Sequence, residues 1–140
     1  MQSFLASLVD RLAAAGARQE ALGVREPARR VLGLAVRAER IVVVGRVWRL
    51  GDYLLEPNEE LHRVGRVVRV AGTDRRRSIV AASMTARHEL ARAARRGGVP
   101  EGETVNFDVE RLDPASLDPA VLEPYLLDRA ELLVHPPGGA

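Results

Sequence analysis

Residues 39–71 read ERIVVVGRVWRLGDYLLEPNEELHRVGRVVRVA, and this stretch decides the fold class. It is dense in Val, Ile and Leu, carries the single Trp and is broken once, at Glu56-Pro57-Asn58-Glu59. Proline and asparagine side by side are turn chemistry. The stretch is therefore expected to form the central hairpin of a sheet, pairing Ile41 to Leu55 with Glu60 to Ala71. Val42, Val44, Trp48 and Leu50 fall on one parity, while Ile41, Val43 and Val47 fall on the other. Both faces are thus partly apolar, as in a strand covered on two sides. Gly45, Gly51 and Gly65 are the expected bends.

Working outward, Phe4, Leu5, Leu8, Val9 and Leu12 recur with the helical period, so a helix is expected over 3–22. The apolar run Val31 to Val36 predicts a strand over 30–36, with Gly33 as a bulge. After a turn at Gly72-Thr73-Asp74 and the run Arg75-Arg76-Arg77, a helix is expected from Ser78 or Ser83 to Arg96. It should stop at Gly97-Gly98. Thr104 to Leu112 alternates as a half-buried strand does. Asp118-Pro119 has the form of an N-cap followed by an N1 proline, opening a short helix over 121–127. Residues 129–134 are expected to be extended.

These elements predict a single α+β domain over 1–135 with a flexible tail at 136–140. Its sheet would be strongly bent and antiparallel, with about five strands, half-open and barrel-like. The N-terminal helix and the central Arg-rich helix would pack on it.

Composition excludes several chemistries. There is no cysteine, which removes disulfides, thiolate metal sites and cysteine nucleophiles. There is no lysine either; all 21 basic residues are Arg. No Schiff-base lysine and no P-loop lysine can exist. No GxGxxG occurs, so no cofactor is expected. His62, His88 and His135 show no metal-ligand spacing, and no metal is expected. No apolar run reaches the ~20 residues of a membrane span, and no signal peptide is visible. A cytoplasmic protein without membrane contact is expected.

Charge is uneven. Residues 74–96 hold seven Arg against Asp74 and Glu89, a net of +5; residues 101–128 hold eight carboxylates against Arg111, a net of −7. The expected interaction surface is Arg87, Arg92, Arg95 and Arg96 with Glu101 and Glu103 in the loop that follows. Trp48, Arg49, Asp52 and Tyr53 surround a bend and are a candidate pocket. Nucleic acid is a weaker expectation, because no aromatic lies between residues 54 and 106 to stack bases.

Three stretches carry a resemblance: RIVVVGRVWRLGDYLL (40–55), RAARRGGVPEGETVNFDV (92–109) and RAELLVHPPGGA (129–140). Together they resemble a family of small uncharacterised actinobacterial proteins, some of which carry an automated "glutaminase" label. The resemblance implies a bacterial origin and gives weight to residues 92–103. The family's longer insert after Asp113 is missing. A serine-type glutaminase would need a lysine base and an amidotransferase a cysteine, and the chain has neither. The function expected from the residues is a binding or interaction protein with a protein partner or a second copy of itself. The alternatives are a small-molecule hydrolase or a nucleic-acid-associated protein acting through the Arg-rich helix.

Overall fold

The computed structural model describes residues 1–70 and 82–138. In chain order the elements are α1 (Gln2–Ala14), β1 (Glu20–Glu26), β2 (Arg29–Val31), β3 (Leu34–Arg37), β4 (Arg40–Leu50), β5 (Tyr53–Leu55), β6 (Leu61–Arg63) and β7 (Arg66–Arg69). Then follow α2 (Ala82–Arg96), β8 (Thr104–Phe107), β9 (Glu110–Arg111), a 3-10 turn at Pro114–Ser116 and α3 (Pro119–Val134). The class is α+β, as expected. Two compact units emerge: the first is Met1–Glu20, Arg46–Val64 and Val109–Ala140, the second Ala21–Gly45 and Gly65–Asp108. Among the described residues no helix is long and apolar enough to cross a membrane.

In the first unit the end of β4, then β5, β6 and β9 are antiparallel neighbours, with Trp48 opposite Leu55, Leu54 opposite His62 and His62 opposite Arg111. Leu5, Leu8, Val9 and Leu12 of α1 and Leu122, Leu126 and Ala130 of α3 pack with Trp48, Leu50, Leu55 and Leu61 in one core. Each buried leucine contributes about 1.5–3 kcal/mol. Asp118 accepts a hydrogen bond from the Ala120 amide at 3.1 Å and Pro119 follows it, so α3 starts where the residues predict. Arg11 of α1 grips Glu131 of α3 through two hydrogen bonds of 2.6 and 2.8 Å. Those bonds, aided by the guanidinium charge, hold the Glu131 carboxyl below its ordinary pKa. The clamp is therefore at full strength above the ordinary carboxylate range and is lost as pH falls below it, through the lowered pKa of Glu131.

In the second unit β7 and β8 are antiparallel, with Val68 opposite Val105, while β8 and β1 are parallel, with Ala21 opposite Val105. The first residues of β4 lie beside β1. Ala93 and Ala94 of α2 press onto Ile41, Val68, Val70, Val105 and Phe107. Asn106 is fully buried, and its side-chain amide donates to the Ala21 carbonyl at 3.2 Å across the parallel pair.

Several expectations need correcting. Seven strands join in the order β7-β8-β1-β4 and β4-β5-β6-β9, against about five, and the order is open and mixed rather than barrel-like and antiparallel. The expected hairpin of 41–55 with 60–71 is a meander, because Gly51 (φ 65°) already reverses the chain between β4 and β5. The expected strand 60–71 is two strands. A Cβ on Gly65 would overlap the Asp108 carbonyl, so two backbones meet there and β6 ends. Thr104 to Leu112 divides likewise at Asp108 (φ 52°). Helix α1 stops at Ala14, ahead of Gly16 (φ 61°), and residues 20–26 are a strand. Residues 129–134 continue α3, because the four-residue spacing Leu122, Leu126, Ala130 runs through them. The expected turn at Gly72 to Asp74, the run Arg75 to Arg77 and the start of the Arg-rich helix at Ser78 lie outside the described residues.

Candidate functional site

The two units divide the charge. The second carries fourteen Arg against seven carboxylates, a net of +7, and the first seven Arg against twelve, a net of −5. Residues that looked scattered along the chain are thus gathered into a basic and an acidic unit.

Within the basic unit the outstanding element is the β2–β3 ribbon. It is a two-residue hairpin turning at Leu32 (φ 52°) and Gly33 (φ 80°), not the strand expected over 30–36. Two consecutive residues with positive φ are the signature of a tight primed turn. Every residue of both strands is exposed. Leu32 at the tip is 97% exposed, Leu34 73% and Val36 61%. Arg29 stands opposite Arg37, Arg30 opposite Ala35 and Val31 opposite Leu34. The ribbon therefore has a basic stem and an apolar tip. Arg37 reaches only to Glu26 at 3.9 Å, and Glu26 is already held by Arg40 at 2.9 Å.

Beside the stem is an open hollow of about 470 Å³ lined by Arg25, Glu39, Arg66, Leu90 and Arg96. Arg25 spans Glu39 at 3.0 Å and Asp108 at 2.9 Å. Arg25 and Arg66 both lie over the Phe107 ring, 5.2 and 5.8 Å from its centroid. The Arg96 Nε donates to the Glu39 carbonyl at 2.7 Å.

The expected interaction residues lie here. Arg87, Arg92, Arg95 and Arg96 are all exposed on α2, whose Ala93 and Ala94 are buried beneath. Arg92 pairs with Glu89 one turn back, at 2.8 Å. Glu101 is exposed in the following turn and Glu103 is half-buried, its carbonyl accepting from the Val70 amide.

The other expected group is in the first unit. Trp48 is 3% exposed in the core, and its indole N–H donates to the Ala17 carbonyl at 3.2 Å. Arg49 holds Glu20 through bonds of 2.9 and 3.0 Å. Tyr53 packs edge-on against Tyr125, whose hydroxyl accepts from the Asp52 amide at 3.1 Å. Asp52 itself is exposed.

One cluster escaped the sequence reading. Glu56, Glu60 and His62 bring one donor atom each within 4.8 Å of one another. The Glu56 Oε2 is 2.7 Å from His62 Nε2. The β5–β6 turn builds the cluster. The Glu56 amide donates to the Glu60 carbonyl at 2.9 Å, and Asn58 Oδ1 accepts from the Glu60 amide at 3.0 Å. The pattern E-x-x-x-E-x-H mixes turn and strand spacing, so neither period could reveal it.

No family model, no curated protein and no solved structure matches the chain.

Proposed function

We propose that the basic unit is a docking module for an acidic protein segment that interleaves carboxylates with apolar side chains. The β2–β3 ribbon would grip that segment, and the exposed Arg face of α2 would extend the surface. The observation that carries this reading is the ribbon itself. A lone two-stranded ribbon is marginal in water, and this one leaves Val31, Leu32, Leu34 and Val36 outside any core. Leu32 also occupies a left-handed conformation that favours Gly or Asn, at a cost of about 1–2 kcal/mol. An apolar residue at such a position suits contact rather than folding. The facing pair Arg29 and Arg37 is repulsive on its own, and a carboxylate between them would relieve it. The guanidinium fork matches carboxylates in a bidentate way. The unit's only aromatic, Phe107, is fully buried, so bases find nothing to stack on. The absence of cysteine suits a cytoplasmic setting.

The probe is a random copolymer of glutamate and leucine, read by fluorescence anisotropy at two salt concentrations, with poly-glutamate and duplex DNA as comparators. The copolymer is expected to bind best, more weakly at higher salt. Leu32→Asn and the pair Arg29→Glu/Arg37→Glu are expected to weaken it by about tenfold or more. Because Asn suits the left-handed turn, Leu32→Asn should keep or raise the melting temperature. Binding that ignores these substitutions, or tighter binding to DNA, would overturn the reading.

A further inference from the structure

We propose that Glu56, Glu60 and His62 form a binding site for a first-row divalent cation, zinc in preference to manganese. The site belongs to the first unit and is independent of the docking surface. Its donor set is one imidazole nitrogen and two carboxylate oxygens, which suits zinc, cobalt or manganese and not calcium, an all-oxygen cation.

The Glu56 side chain is only 14% exposed and lies against His62 Nε2 at 2.7 Å. Glu60 is 33% exposed and is answered by Arg111, which is itself 71% exposed. Two carboxylates thus converge on a nearly buried imidazole whose side chain is 8% exposed, with one solvated guanidinium to offset them. A partly buried carboxylate is costly without a strong counter-charge. A divalent cation at the shared focus would supply it.

Metal bonds of about 2.0–2.2 Å at tetrahedral angles place donor atoms about 3–3.5 Å apart. The Glu56–His62 separation of 2.7 Å need open by less than about 1 Å, and Glu60, within 4.8 Å, need only change rotamer. The turn's backbone bonds hold Glu56 and Glu60, and the pairing of His62 with Leu54 holds the third position, while that happens. Glu60 also lines a cavity of about 260 Å³ with Asn58, Leu61 and Arg111, so its side chain has space in which to turn.

His62 Nδ1 is buried and has no hydrogen-bond partner. With Nε2 on a metal, Nδ1 would carry the proton and lack the carboxylate or carbonyl that usually orients a metal-bound histidine. The site should therefore bind in the micromolar range and not the nanomolar.

The experiment is cobalt titration of the chelator-treated full chain, followed in the visible absorption spectrum, with zinc, manganese, magnesium and calcium as competitors. One equivalent of cobalt is expected to give a ligand-field band that zinc abolishes at the lowest concentration and magnesium and calcium do not. Glu56→Gln retains the shape and a hydrogen bond to His62 but removes the charge; it should weaken binding about tenfold or more and leave far-ultraviolet dichroism unchanged. His62→Gln should remove the band. A band that survives in both variants, or that disappears only in His88→Gln or His135→Gln, would overturn the proposal, as would the absence of any band in the wild type.

Discussion

Replacing Gly97 by alanine is expected to destabilise the second unit by about 3 kcal/mol or more. The reason is contact and not conformation. A Cβ at Gly97 would overlap the carbonyl oxygen of Ile41, and backbone cannot rotate away as a side chain can. The last turn of α2 is pinned at that point: the Arg96 Nε donates to the Glu39 carbonyl, the Gly97 amide donates to Ala93 at 3.2 Å, and Val99 is buried just beyond. The neighbour Gly98 provides the control. Its φ is 92°, and a Cβ there meets nothing within 4 Å. Gly98→Ala should therefore cost only the left-handed strain, about 1–2 kcal/mol. Urea denaturation of both variants separates the cases. If Gly97→Ala is no worse than Gly98→Ala, the close approach of α2 to β4 is wrong.

The second large effect is expected at Trp48. Trp48→Ala should cost the first unit about 3–5 kcal/mol, because the indole sits among the leucines of α1, α3 and the sheet and little is free to refill its volume. Trp48→Phe keeps most of the apolar area but loses the N–H donated to the Ala17 carbonyl. That should cost a further 1–3 kcal/mol, roughly, over simple shrinkage, if the carbonyl stays dry. Thermal unfolding of the two variants checks the order. Equal melting temperatures for Trp48→Phe and wild type would place the Ala17 carbonyl in water.

What the residues disclosed beforehand follows from how local each signal is. The buried face of α1, the Asp118-Pro119 start of α3 and the end of α2 at Gly97-Gly98 depend on side chains within a turn or two, and they were legible. The meander, the split of 60–71 and the parallel partner of β1 depend on residues far along the chain. Val64, Val68 and Val70 share one parity across the break at Gly65, so alternation alone cannot disclose that two strands are present. The ribbon was hidden for the opposite reason. Val31-Leu32-Gly33-Leu34-Ala35-Val36 has the composition of a buried strand, yet all of it is exposed, and composition cannot distinguish a core from a contact surface. The exposure of Arg87, Arg92, Arg95 and Arg96 was legible because guanidinium groups are seldom buried. The Glu56, Glu60 and His62 cluster was not, because a turn had to fold before the three could meet.

The pairing of Ala21 with Val105, and the grip of Arg11 on Glu131, have a consequence for synthesis. Each unit is closed by segments far apart along the chain, so neither can be completed while its later part is still inside the ribosome. Such long sequence separations raise the contact order and slow folding. Until α3 emerges, the apolar face of α1 and the indole lack their cover, and the nascent chain must wait in a state that a chaperone could recognise.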